Sequence, residues 1–183
     1  MTEQTHANTA DPDPTDLGAV ARSIIDSNRF MTLATADEQG SPWASPVWYA
    51  PMGYRSFLWV SSPEAQHSRN LADRPGISIV IFDSQSPIDR GQAVYMSARA
   101  EEASAEDGGS GIEIFSRRSQ RHGGRAWSLA DVQPPERLRL YRATASAHHV
   151  LDERDQRVPV SLYLLRTGGR GGHGACRLFV TNL

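Results

Sequence analysis

The chain has 183 residues, a net charge of −2, 8% aromatic and 22% charged residues. That profile suits one globular domain with a sizeable core and gives no standing attraction to nucleic acid or anionic membranes. All 19 basic residues are arginine, and without lysine a Schiff-base enzyme and a Walker-type ATPase are excluded. The lone Cys176 has no internal disulfide partner, and the six histidines show no zinc spacing. No apolar run approaches the ~18 residues of a membrane span, and the polar N-terminus lacks a signal peptide's apolar region. These features predict a soluble cytoplasmic protein with no resident metal.

Met1 to Thr15 is polar and proline-containing, which predicts disorder. Asp16 caps a helix whose apolar positions are Leu17, Val20, Ile24 and Ile25, ended by Ser27-Asn28. Phe30 to Ala36 is a strand, Asp37 to Gly40 a hairpin turn, and Ser41 to Ala50 a second strand. Pro42 and Pro46 put that second strand at an edge or bulge, because proline cannot donate to a ladder. Pro51 to Tyr54 turns the chain into a third strand, Phe57 to Val60. Ser61 and Ser62, then Pro63 and Glu64, read as a helix start. Ala65 to Asp73 is the helix, stopped by Pro75-Gly76, and Ile77 to Phe82 is a strand too continuously apolar for the surface.

Asp83 to Gly91 is a loop, and Gln92 to Glu102 alternates as a strand. Ser104 to Asp107 opens a helix that Gly108-Gly109-Ser110-Gly111 weakens; Ile112 to Arg121 continues it with Ile114 and Phe115 as the buried side. Arg117, Arg118, Arg121 and Arg125 form a basic run, either a solvated face or an attraction for phosphate. Trp127 to Asp131 is an anchored loop or short helix closed by Pro134-Pro135. Arg137 to His149 and Arg157 to Val160 are the last strands. The expected division is a disordered 1–15, a folded 16–160 and a flexible Gly/Arg tail at 161–183, in which Leu162 to Leu165 alternatively pack locally. The fold class is mainly β, six to seven antiparallel strands in a barrel or sandwich with helices as connections. No GxGxxG follows a strand, so a Rossmann site has no support.

Three stretches, MTLATADEQGSPWASPVW, FLWVSSPEAQHSRNLADRPGISIVIF and GQAVYMSARAEE, occur in the order and spacing of the flavin-binding split-barrel family related to pyridoxamine 5′-phosphate oxidase. Phe30 to Glu102 resembles that family, and LRLYRATA and HHVLDERDQRVPV resemble its last strands. The resemblance implies a split β-barrel homodimer holding one flavin mononucleotide (FMN) at each end of the subunit interface, with a small-molecule substrate. It places Ser45, Pro46, Val47 and Trp48 beside the isoalloxazine ring, and Val60, Ser61 and Ser62 near the ribityl and phosphate groups. It turns Gln66, His67, Ser68 and Arg69 to the phosphate and brings Gln92 to the ring. The oxidase itself carries basic residues at positions 45, 50, 66 and 67, where this chain has Ser45, Ala50, Gln66 and His67; His148-His149-Val150 stands where substrate-clamping arginines belong. The expectation is therefore a relative that does not oxidise pyridoxamine phosphate.

Each candidate has an ordinary structural reading beside the functional one. His67 and Arg69 suit a phosphate, or else a surface helix with Arg69 paired to Asp73. Ser61 and Ser62 cap a helix with or without a ligand, and Gln92 is a flavin hydrogen-bond donor or an exposed strand start. Trp48, Tyr49, Trp59 and Trp127 are ring platforms or core. No general base or nucleophile stands out, as expected where a cofactor does the chemistry. Rival readings keep the fold with a deazaflavin, whose acidic tail would follow Arg117 to Arg125, or make the barrel a non-catalytic flavin- or haem-binding module.

Overall fold

The computed structural model describes residues 16–87, 91–152 and 154–162. The expectations for 1–15 and for the stretch after Leu162 lie outside the described residues. Helix α1, Leu17–Ser27, begins where Asp16 accepts a hydrogen bond from the Ala19 amide at 2.9 Å. It ends where the Asn28 side chain donates to the Ile24 carbonyl. Strands β1 (Phe30–Ala36), β2 (Pro42–Trp48), β3 (Ala50–Met52) and β4 (Ser56–Ser61) follow, then helix α2 (Gln66–Asp73) and β5 (Gly76–Phe82). After them come β6 (Ala93–Glu102), helix α3 (Ala105–Arg121), β7 (Arg139–Leu151) and β8 (Arg157–Pro159).

The strands form one curled antiparallel sheet in the order β2-β1-β5-β6-β7-β4-β3, with β8 added to β7. This is the mainly β split barrel that the resemblance implied, with eight strands among the described residues where the pattern predicted six or seven. One difference accounts for the count. The expected second strand breaks at Tyr49: β2 pairs with β1, whereas β3, beginning one residue later, pairs with β4 at the other end of the sheet. Tyr49 pins that crossing, fully buried, with its hydroxyl donating to the Ile25 carbonyl at 2.6 Å. The turn predicted at Pro51 to Tyr54 moves to Gly53 and Tyr54, which hold positive φ of 63° and 57°. As the prolines required, β2 is an edge strand of the ladder.

The core lies inside the curl, built from Ile25, Met31, Leu33, Phe57, Trp59, Ile79, Ile81, Val94 and Val150. Strand β5, read as buried throughout, buries only Ile77, Ile79 and Ile81; Ser78 and Phe82 face outward. Period two of an antiparallel strand decides this, since α3 covers the outer face of the sheet only at β3, β4 and β7 and no described residues cover it at β5.

Helix α2 starts later than expected. Ser62 accepts a hydrogen bond from the Glu64 amide at 3.1 Å and makes a turn ahead of the helix, so Ser61 and Ser62 are not its caps. Helix α3 runs on through the glycine stretch that seemed to weaken it. A Cβ on Gly111 would lie 3.1 Å from a Leu140 methyl, so glycine lets the helix sit close on β7. Its buried side is Ile112, Phe115, Ser116 and Ser119, with Ile114 only half-buried. Past β8, Leu162 is buried against the core at 3% exposure, and the rest of the Leu162 to Leu165 stretch lies outside the described residues.

Because Ile79 is fully buried on a central strand, Ile79→Ala is expected to cost about 2–5 kcal/mol of stability, read as a lower urea midpoint at unchanged slope.

Candidate functional site

The two ends of the sheet order do not join by a full ladder, and helix α2 lies across the gap. Its His67 is the bridge: Nδ1 lies 3.2 Å from the Ser45 hydroxyl on β2, and Nε2 lies 2.9 Å from the Ser61 hydroxyl on β4. Burial holds the imidazole's pKa below its ordinary value, so the neutral form prevails at pH 7. A polar relay seats the helix beneath it. Arg69 donates to Gln66 at 2.7 Å, Gln66 to Asn70 at 2.8 Å, and the buried Asn70 to Thr35 of β1 at 3.0 Å. Ala65 at the N-cap offers no side-chain hydrogen bond, so no side chain occupies the first-turn amides of α2.

A cleft of about 600 Å³ opens above this trio, a size ordinary for small-molecule sites. Pro46, Val47 and Trp48 form one wall, Val60, Ser61 and His67 one end, and residues of α3 and the loop after it the opposite side. Ser45 at one end and Trp48 at the other are three residues apart on β2, so the cleft runs about 10 Å along that strand. Trp48 packs edge-on against Phe115, centroids 4.8 Å apart, and against His122 at 6.4 Å.

The far side depends on how α3 ends. Gly123 takes a positive φ of 79°, its amide bonds the Gln120 carbonyl, and the Gly124 amide bonds the Ser119 carbonyl at 2.8 Å. That pair of bonds is a Schellman stop, which satisfies the last carbonyls and reverses the chain. Two helix hydroxyls then hold the returning strand: Ser119 donates to the Arg125 carbonyl, and Ser116 accepts from the Trp127 amide, each at 2.8 Å. Trp127 lands edge-on against Phe115 at 5.6 Å, with the Arg125 guanidinium 3.7 Å above its ring. Asp131 holds Arg125 at 2.7 Å, and its bonds from Ser128 and Arg125 keep its carboxyl well below the usual carboxylate range.

Of the residues expected to meet a flavin, Pro46, Val47, Trp48, Val60, Ser61 and His67 line the cleft, and Ser45 stands behind His67. Others are elsewhere. Gln66 and Arg69 are engaged in the relay, and Arg69 also donates to the Glu64 carbonyl, not to Asp73. Ser62 makes its turn, and Ser68 is buried in contact with Tyr141. Gln92 precedes β6 at the end away from Tyr141, with its side-chain oxygen buried and without a partner among the described residues. Trp59 and Tyr49 are core, whereas Trp127 is cleft wall. His148 is buried in the core, bonded through Nε2 to the Tyr54 carbonyl, and neither it nor His149 reaches the cleft. The reading of the sequence missed Phe115, Ser119, His122, Gly124 and Leu138 as cleft residues; the available signal was a Gly-Gly stop followed three residues later by tryptophan.

Among the described residues no helix is long and apolar enough to cross a membrane, and no His, Cys, Asp or Glu cluster could hold a metal ion.

The model of the family described as pyridoxamine 5′-phosphate oxidase matches residues 17–152. No curated protein matches the sequence. Among solved structures, HutZ, the heme storage protein from Vibrio cholerae, is similar with a TM-score of 0.53 and 19% identity, over 68% of this chain and 87% of that one. A heme binding protein from Mycobacterium smegmatis gives 0.58 and 20%, over 84% of this chain and 60% of its own. An F420 reductase gives 0.53 and 16%, over 70% and 94%. At these identities the likeness is one of fold.

A Cβ on Gly124 would fall 2.4 Å from the Ser119 hydroxyl. Gly124→Ala is therefore expected to cost about 1–3 kcal/mol by overpacking and to displace Trp127, changing the near-ultraviolet circular dichroism while the far-ultraviolet spectrum holds.

Proposed function

This chain belongs to the pyridoxamine 5′-phosphate oxidase family, and on that premise we propose that it is a cytoplasmic, FMN-binding oxidoreductase acting on a small molecule other than pyridoxamine phosphate. The observation that carries the reading is the cleft's polarity along its length. One end joins the hydroxyl of Ser61 and the imidazole of His67 to the uncapped start of α2, where backbone N–H groups favour an anion. From there to the Trp48 end it is walled by Val47, Trp48, Phe115 and Trp127, apolar faces suited to a flat ring. A phosphate at the first and an isoalloxazine along the second match FMN in order. When bound, the flavin supplies electron or hydride transfer; these residues orient its ring, shield it from water and seat its charged end.

Loss of the oxidase's basic positions supports a different substrate. Ser45 and His67 form a neutral hydrogen-bonded pair, Ala50 is fully buried, and Gln66 bonds Asn70. None of these presents the cation that a second phosphate would require. A deazaflavin would use the same walls, as the likeness to an F420 reductase suggests. A haem-binding module, which the likeness to two heme proteins suggests, would have to use His149, which lines a separate groove with Tyr95 and Arg157, because His148 is committed to the core.

Titrating the protein with FMN and with a deazaflavin, followed by quenching of ligand fluorescence, tests the reading. FMN is expected to saturate at micromolar concentration or below. Trp127→Ala is expected to weaken it at least tenfold. Ser61→Ala is expected to weaken it about 2- to 10-fold, the equivalent of one hydrogen bond's net ~0.5–1.5 kcal/mol. A deazaflavin binding the tighter of the two moves the assignment to that ligand, and no binding of either removes it.

A homodimer belongs to the same proposal. Phe30 and Phe82 are 57% and 49% exposed, and the β1–β5 register of Thr32 with Val80 brings them opposite each other two residues on. Among the described residues nothing covers their outward face, and a second copy would cover it. Phe30→Asp/Phe82→Asp is expected to convert a dimer into a folded monomer in sedimentation velocity; a wild-type monomer would refute the dimer.

A further inference from the structure

Beyond His122 the cleft gives way to a second groove of about 540 Å³, lined by Asp26, Pro51, Arg117, Arg118, Arg121 and His122. His122 belongs to both, and it stands at the Trp48 end, opposite the Ser61–His67 end. Arg117 and Arg121 are four apart on α3 and share a face of the helix. Both are exposed, and neither forms an ion pair among the described residues. Arg118 is half-buried and donates to the uncharged carbonyls of Asn28, at 2.7 Å, and Asp26; its Nε is buried with no partner among the described residues. It lies 5.2 Å from the centre of the Tyr49 ring, which fixes its place without cancelling its charge. The sole acidic lining residue, Asp26, already accepts a hydrogen bond from the Tyr54 hydroxyl at 2.7 Å.

The surplus of positive charge is felt at the boundary residue. His122 has a pKa below its ordinary value, first through burial and then through repulsion from Arg118, Arg29 and Arg121. In a chain of net charge −2, this is a local reversal of sign. The negative end of a helix dipole favours a basic residue in the last turn, which explains one arginine and not three around a groove. Like charges four apart oppose helix formation, and a bound polyanion removes that opposition while offering each guanidinium a bidentate partner.

We propose that the groove between α3 and the end of α1 is an anion site for a small molecule bearing two or more neighbouring phosphate or carboxylate groups, which binds beside the cleft's ligand and not in its place. The inference extends the reading above by a second ligand and rests on the cleft taking FMN, since the acidic tail of a deazaflavin would itself reach this groove. A substrate with an anionic arm held here would meet the cleft's ring at the end away from the ring ligand's own phosphate.

Calorimetric titration of the full chain with inorganic tripolyphosphate at low ionic strength tests it. Saturable one-to-one binding is expected, weakened at least tenfold in Arg117→Ala/Arg121→Ala. Arg74→Ala/Arg154→Ala, which removes the same charge from exposed positions elsewhere, is expected to leave it within twofold. Millimolar FMN added to both cell and syringe is expected to leave it within twofold as well. No saturable binding, equal loss in the two double variants, or displacement by FMN would each overturn the proposal. The first result leaves the FMN titration untouched, so the two readings fail separately. Thermal melting of both double variants checks that exposed arginines were removed without unfolding.

Discussion

One imidazole spans the seam of this barrel. Strands β2 and β4 are far apart in the sheet order, and His67 meets a serine of each through its two ring nitrogens. Each such bond contributes only about 0.5–1.5 kcal/mol net, but together they set the separation of the sheet's two ends. The cleft is that separation. Were the ladder to close fully, backbone pairing would fill the space; were helix α2 to sit elsewhere, only the crossing pinned by Tyr49 would hold the ends. The relay from Arg69 through Gln66 and Asn70 to Thr35 gives α2 a single register, and so gives the imidazole a single place.

The opposite wall follows from a helix ending. A left-handed glycine reverses the chain after α3, and the next glycine has no Cβ to collide with Ser119. Hydroxyls of Ser116 and Ser119 then hold the returning backbone to the helix that it has just left. Trp127 is thereby stacked into a row with Phe115 and Trp48, which makes one wall continuous with the other through aromatic edges. An apolar middle and a polar end arise from two independent local devices, and their meeting gives the cleft its direction.

Charge is distributed with the same economy. Positions near His67 are neutral and hydrogen-bonded, whereas the unneutralised arginines gather past His122 at the other end. Backbone amides offer an anion partial charges in a fixed geometry, and guanidinium groups offer whole charges on flexible stems. The two ends thus differ in kind as well as in position, one offering neutral hydrogen-bonding groups and the other exposed cations.

The sequence by itself determined most of the elements, because alternation, prolines and capping residues act locally. Asp16 as a cap, β2 as an edge strand and the order of strands from Phe30 to Glu102 were legible there, as was the family they resemble. It also marked His67, Ser61 and the Ser45 to Trp48 strand, which do converge. Only the tertiary structure decided that Gln66 and Arg69 turn to a structural relay, that Trp127 is wall and Trp59 is core, and that α3 survives its glycines. The reason is that a helix or strand residue has its face chosen by what packs against it. Hydroxyls of Ser116 and Ser119 reach segments later in the chain, and no periodicity records where those segments return.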